Sequence, residues 1–142
     1  MRASLVLALL ASACGGQSTA TVGPLPSTAD AAAGGPAPTY GALFDGYFAV
    51  GTPGHCAKAG CHGDPGHHFW LCGPNKNDCY AAMVKAGLID TAHPGASVIA
   101  DPGNSPIRWI NPNGAMPFDG AGANPAGRDA IVAWVAAGAR ND

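Results

Sequence analysis

Glutamate is absent from this 142-residue chain, and charged side chains of every kind make up only 11% of it. The 7 Lys and Arg against 9 Asp leave a formal charge of −2. No basic patch is available for nucleic acid. No apolar run reaches the roughly 20 residues that a membrane-crossing helix needs. No stretch alternates as a strand would, and no internal repeat is present, so the expected class is mainly α. Gly (21) and Pro (13) are abundant instead. So loop-rich a chain has few helical residues with which to build a core, and a bound cofactor or disulfides would help stabilise it. The length suits one domain of ordinary size, not two.

The N-terminus reads as a targeting segment. Arg2 supplies the positive charge, and Leu5-Val6-Leu7-Ala8-Leu9-Leu10-Ala11 is a short apolar stretch. Ala11-Ser12-Ala13-Cys14 follows and resembles a bacterial lipoprotein signal, although leucine is commoner at the Ala11 position. On this reading residues 1–13 are removed and Cys14 takes lipid. An ordinary cleaved secretory signal is the alternative. Either way the chain is exported to an oxidising compartment, and the lipid would hold it on the periplasmic side of a bacterial membrane. Residues 14–38 hold mainly small residues, Pro, Ser and Thr, and are read as a flexible tether spanning roughly 25–30 Å.

The folded domain is assigned to residues 39–142. Tyr40, Leu43, Phe44, Tyr47 and Phe48 form a helical stripe that Thr39 can cap and Gly51 can end. A second helix is expected over Asp78–Ala86, capped by Asp78 or Asn77 and stopped by Gly87. Ser105-Pro106 is expected to open a short helix through Ile110. Residues 113–124 are expected to form an irregular loop. The last helix opens at Asn124-Pro125, carries Ile131, Trp134 and Val135 on one face, and closes at Gly138. The first and last helices have the strong apolar faces and are expected to pack together.

The chemistry gathers in Cys56-Ala57-Lys58-Ala59-Gly60-Cys61-His62. Two cysteines with a histidine directly after the second mark covalent haem attachment. Each thiol can add to a vinyl group, and the histidine becomes the proximal ligand. The usual spacing is two residues and this chain has four, so the loop must bulge, with Gly60 at the bend. With Cys14 lipidated and Cys56 and Cys61 on haem c, Cys72 and Cys79 remain for a disulfide. Met116, in Ala115-Met116-Pro117, is the candidate distal ligand, 54 residues after His62. Met83 reads as core. His93 is the competitor to Met116, whereas His67 and His68 are too near His62 to cross to the opposite face and, with His55, are left without a ligand role. Arg108 and Trp109 precede the methionine loop and are candidates to bond a haem propionate.

Gly73-Pro74-Asn75 follows His62, with Pro74 twelve residues after it, and the chain closes in Trp134-Val135-Ala136-Ala137-Gly138-Ala139. With Met116-Pro117, these features resemble small single-haem class I c-type cytochromes, especially the cytochrome c-like domains of exported myxobacterial and planctomycete proteins. The resemblance covers about 100 residues from Thr39 to Ala139. It implies three to four short helices with long loops wrapped around one haem, and a Pro74 carbonyl that accepts the His62 N–H. It also implies an electron carrier, not an enzyme, exchanging electrons with redox partner proteins. The Cys72 and Cys79 pair bracketing Gly-Pro-Asn is not general in that family. Two other classes stay open. Cys56, Cys61 and His62, with His67 or His68, can make a Cys₂His₂ zinc site in a binding lipoprotein, or Cys56 and Cys61 can be oxidised to each other. A haem peroxidase or ligand sensor would need a distal acid or base, for which only Arg108 and His93 offer themselves.

Overall fold

The computed structural model describes residues 36–64, 70–118 and 122–142. Cys14, His67, His68, the proposed signal segment 1–13 and the tether up to residue 35 lie outside the described residues. Among the described residues the regular structure is helical, with three α-helices and no strand.

Helix α1 (Tyr40–Leu43) runs directly into a π-helical turn, Phe44–Phe48, where the Ala49 N–H donates to the Phe44 carbonyl at 2.8 Å. Thr39 caps α1, its hydroxyl accepting from the Ala42 N–H at 3.1 Å. The whole expected stripe is buried: Tyr40, Leu43, Phe44, Tyr47 and Phe48. The helical segment ends before Gly51, which lies in the turn beyond it.

Helix α2 (Lys76–Lys85) starts two residues earlier than expected. Its cap is Asn75, whose side chain accepts from the Asp78 N–H at 2.9 Å, and not Asn77 or Asp78. Gly87 follows its end as expected. The Gly87 N–H reaches the Val84 carbonyl and the Leu88 N–H reaches the Met83 carbonyl. This paired closure brings buried Leu88 over buried Met83. Helix α3 (Pro125–Ala136) closes in the same way, with Gly138 bonded to Val135 and Ala139 to Trp134.

The expected helix from Pro106 to Ile110 does not form. Ser105 does receive the Ile107 N–H at 3.1 Å, but its hydroxyl donates to the Ile99 carbonyl at 2.7 Å. The buried Asn111 side chain donates to the Ser105 and Gly103 carbonyls. These buried polar side chains hold a tight turn in place of a helix. Ile107 then pairs with Met116 as an isolated parallel bridge.

Tyr40 joins the helices. Its ring centroid lies 5.4 Å from Trp134 on α3 and 5.2 Å from Tyr80 on α2. The first and last helical segments therefore pack together, as the apolar faces require. The core does not rest on helices alone. Ile107, Trp109 and Ile110 come from loops and are buried too. Loop residues thus supply core that a count of helical positions leaves out. Asp142 ties the ends together, receiving the Tyr40 N–H on its side chain at 2.7 Å and the Gly41 N–H on its carbonyl at 2.9 Å.

Candidate functional site

The loop after the π turn carries Cys56, Cys61 and His62. Its conformation follows from a few backbone bonds. Ala57 donates to the Phe48 carbonyl at 2.9 Å, which hangs the loop on the first helical segment. The Lys58 carbonyl accepts from both Cys61 and Gly63. Gly60 has φ +80°, in the left-handed region that favours glycine, and is the bend that the wider cysteine spacing needs. A Cβ at Gly63 would run into the Ala57 carbonyl, so the reversal after His62 requires glycine.

Cys56 and Cys61 stand outside the disulfide and are not joined to each other. Burial, with the neighbouring Cys61 sulfur adding to it, pushes the Cys56 thiol up to about 12. Cys56 is therefore a protonated thiol through the physiological range and a poor nucleophile on its own. The Tyr40 hydroxyl lies close enough to Cys56 that ionising one would oppose ionising the other. Cys72 and Cys79 are at disulfide bonding distance, both fully buried.

His62 is only 8% exposed. Its Nδ1 lies 2.9 Å from the carbonyl oxygen of Trp70. A carbonyl can only accept, so Nδ1 carries the proton and Nε2 holds the lone pair, the tautomer of a metal-ligating imidazole. The Trp70 indole stacks on the ring, with centroids 4.2 Å apart and planes 21° from parallel. Stacking occupies a ring face, whereas ligation uses the in-plane lone pair, so the two do not compete. The acceptor implied by the family resemblance was Pro74. In this structure the acceptor is Trp70, and Pro74 is exposed and leads into the Asn75 cap of α2. Gly73-Pro74-Asn75 thus launches a helix.

Met116 is half-buried and fixed by its backbone. Its N–H donates to the Pro106 carbonyl at 2.8 Å, and its carbonyl accepts from Arg108 at 2.6 Å. The methionine is thereby tied to the Arg108–Trp109 turn. Arg108 is exposed, and its Nε donates to the Gly114 carbonyl at 3.1 Å within its own loop. Trp109 is buried, edge-on to Tyr47, and its Nε1 has no hydrogen-bond partner. His93, the other distal candidate, has a side chain 80% exposed and sits 3.5 Å from Asp90. The Nδ1 of His55 lies 3.2 Å from the Thr52 carbonyl.

The residues fit a covalent haem on three counts. Two thiols outside the disulfide flank one loop, the histidine has the ligating tautomer, and a buried indole N–H lacks an acceptor. Among the described residues, no three His, Cys, Asp or Glu side chains form a group able to hold a metal ion. Among the described residues no helix is long and apolar enough to cross a membrane. Trp70 escaped the sequence reading because a backbone carbonyl has no residue signature. Its only sequence trace is an aromatic eight residues beyond His62. No protein-family model matches the chain, and neither a curated protein nor a solved structure does.

Proposed function

We propose that this protein is a monohaem c-type electron carrier, exported and lipid-tethered through Cys14. The observation that carries the reading is the state of His62 beside the two cysteines. Its Nδ1 proton is held by the Trp70 carbonyl, which leaves the lone pair on Nε2. When bound, a haem supplies a one-electron iron couple. The chain's own residues do the rest. Cys56 and Cys61 would hold the group by thioether bonds, and His62 and Met116 would bind its iron. The Trp70 carbonyl keeps the His62 ring in one orientation and raises its basicity. The buried Trp109 N–H offers a donor for a carboxylate, and the Arg108 side chain closes the same loop. His93 is a weaker candidate than Met116, because its side chain lies in solvent against Asp90.

Co-expression with a cytochrome c maturation system tests the reading. The expected product has a strong Soret band that stays with the polypeptide through denaturation. Cys56→Ser with Cys61→Ser should abolish it. Met116→Ala should retain the colour, lower the potential and open the iron to carbon monoxide. If His93→Ala opens the iron and Met116→Ala does not, His93 is the second iron ligand in place of Met116. A colourless protein carrying zinc, or one with Cys56 bonded to Cys61, overturns the haem reading.

A further inference from the structure

His62 is held on two sides by one short segment. Its side chain meets the Trp70 carbonyl at 2.9 Å, and its own carbonyl accepts the Cys72 N–H at 2.7 Å. The Trp70 indole covers one face of the ring. Residues 70–72 thus clasp both the main chain and the imidazole of His62. Nothing in the local sequence makes this clasp rigid. It belongs to no helix or strand, and Leu71 at its centre is exposed. Irregular segments of this kind open locally at little cost.

What the clasp does have is a covalent tie. Cys72, the residue that donates to His62, is also the residue bonded to Cys79, in the fourth position of α2 (Lys76–Lys85). The Cys79 end rests on the main aromatic core: Tyr80, next in the helix, packs edge-on against Tyr40 and donates to the Ala139 carbonyl at 2.7 Å. A path of bonds therefore runs from the aromatic core, through α2 and the disulfide, to the hydrogen bond that orients His62. Both sulfurs are fully buried, which shields them from thiol exchange. That burial argues for a permanent brace and against a reversible redox switch.

We propose that the Cys72–Cys79 disulfide is a positioning device for His62. It fixes Trp70–Leu71–Cys72 against α2 and so holds the His62 imidazole in the Nδ1–H tautomer. The importance of that tautomer rests on the haem reading above, but the bracing itself can be measured without haem.

The test uses the full chain, first without haem and unmodified. Native-state amide exchange with rising urea should show the Cys72 amide opening together with interior amides of α2 such as Met83. If Cys72 instead exchanges with exposed turn amides such as Ala92 and Gly103, the brace does not exist, whatever any variant does. The second arm replaces both cysteines, Cys72→Ala with Cys79→Val, to remove the bond while keeping apolar volume. Exchange of the amide at position 72 should then rise by up to roughly tenfold, the loss expected for one hydrogen bond. The imidazole ¹⁵N shifts of His62 should move away from the Nδ1–H tautomer. A folded variant with an unchanged His62 tautomer overturns the proposal. In the haem-loaded chain the same variant should have a raised midpoint potential, because an imidazole without its Nδ1 acceptor is a weaker donor. Failure of haem attachment in the unmodified chain would sink the functional reading alone. A tautomer unmoved by loss of the disulfide would sink this proposal alone.

Discussion

Four acidic groups in and against the core are shifted in one direction. Burial raises the thiol of Cys56 and the phenols of Tyr40, Tyr47 and Tyr80, with neighbouring charges adding to Cys56, Tyr40 and Tyr80. The neutral form is favoured in the fold, so the folded protein binds more protons than the unfolded chain between each pair of values. Stability is complete below the unfolded thiol value of 9.0 and falls as pH rises toward about 12. Urea midpoints measured from pH 7 upward should be flat to about 9 and then drop. Cys56→Ala should delay the onset toward the tyrosine range, which starts at 10.0. Thioether formation at Cys56 should do the same, since that sulfur then has no proton to lose. Tyr40 makes a second prediction. Its hydroxyl is buried without a partner. Tyr40→Phe should therefore raise stability by about 1 kcal/mol, read as a higher urea midpoint, because an unsatisfied buried hydroxyl is costly.

At the scale of elements, short helices depend on their ends. The first α-helical turn is capped both by Thr39 and by Asp142, whose carboxylate receives the Tyr40 N–H. Asp142→Ala should cost about 0.5–2 kcal/mol by chemical denaturation, in the range of an N-cap loss. Residues 97–116 are held differently. Asn111 donates to two carbonyls and receives the Asn113 N–H, all from one buried side chain. Asn111→Ala leaves those carbonyls without their amide and should destabilise by about 1–3 kcal/mol. Since Met116 pairs with the same turn, this variant should also loosen the methionine backbone, visible as faster exchange of the Arg108 amide.

The whole molecule is organised around aromatic contacts that span the sequence. Trp134 meets Tyr40 across the first and last helices, and its indole N–H donates to the Arg140 carbonyl at 2.9 Å. Trp134→Ala should cost about 3–5 kcal/mol, a large share of the stability of a small domain. Trp134→Phe should recover most of it, lacking only the N–H and part of the ring. Reduction of Cys72–Cys79 should cost about 2–3 kcal/mol for a loop so short. A thermal melt with and without a strong reductant under denaturing pre-treatment measures that difference.

The elements set by local signals could be read directly from the chain. The stripe of Tyr40, Leu43, Phe44, Tyr47 and Phe48 at helical spacing is buried as expected, because periodicity needs only neighbours on one chain. Asn124-Pro125 and Gly138 bounded the last helix for the same reason. Gly60 at the bend followed from the cysteine spacing, and the Cys72–Cys79 pairing followed from counting cysteines on the expectation of export. Tertiary structure alone decided the rest. Ser105-Pro106 carries a helix-start signature, yet Ile99 and Asn111 claim the partners at that turn, and neither is visible in a local window. The acceptor for His62 passed from Pro74 to Trp70 for a related reason. Any backbone carbonyl can accept a proton, so residue type does not mark which one will, and only the path of the chain past the imidazole chooses.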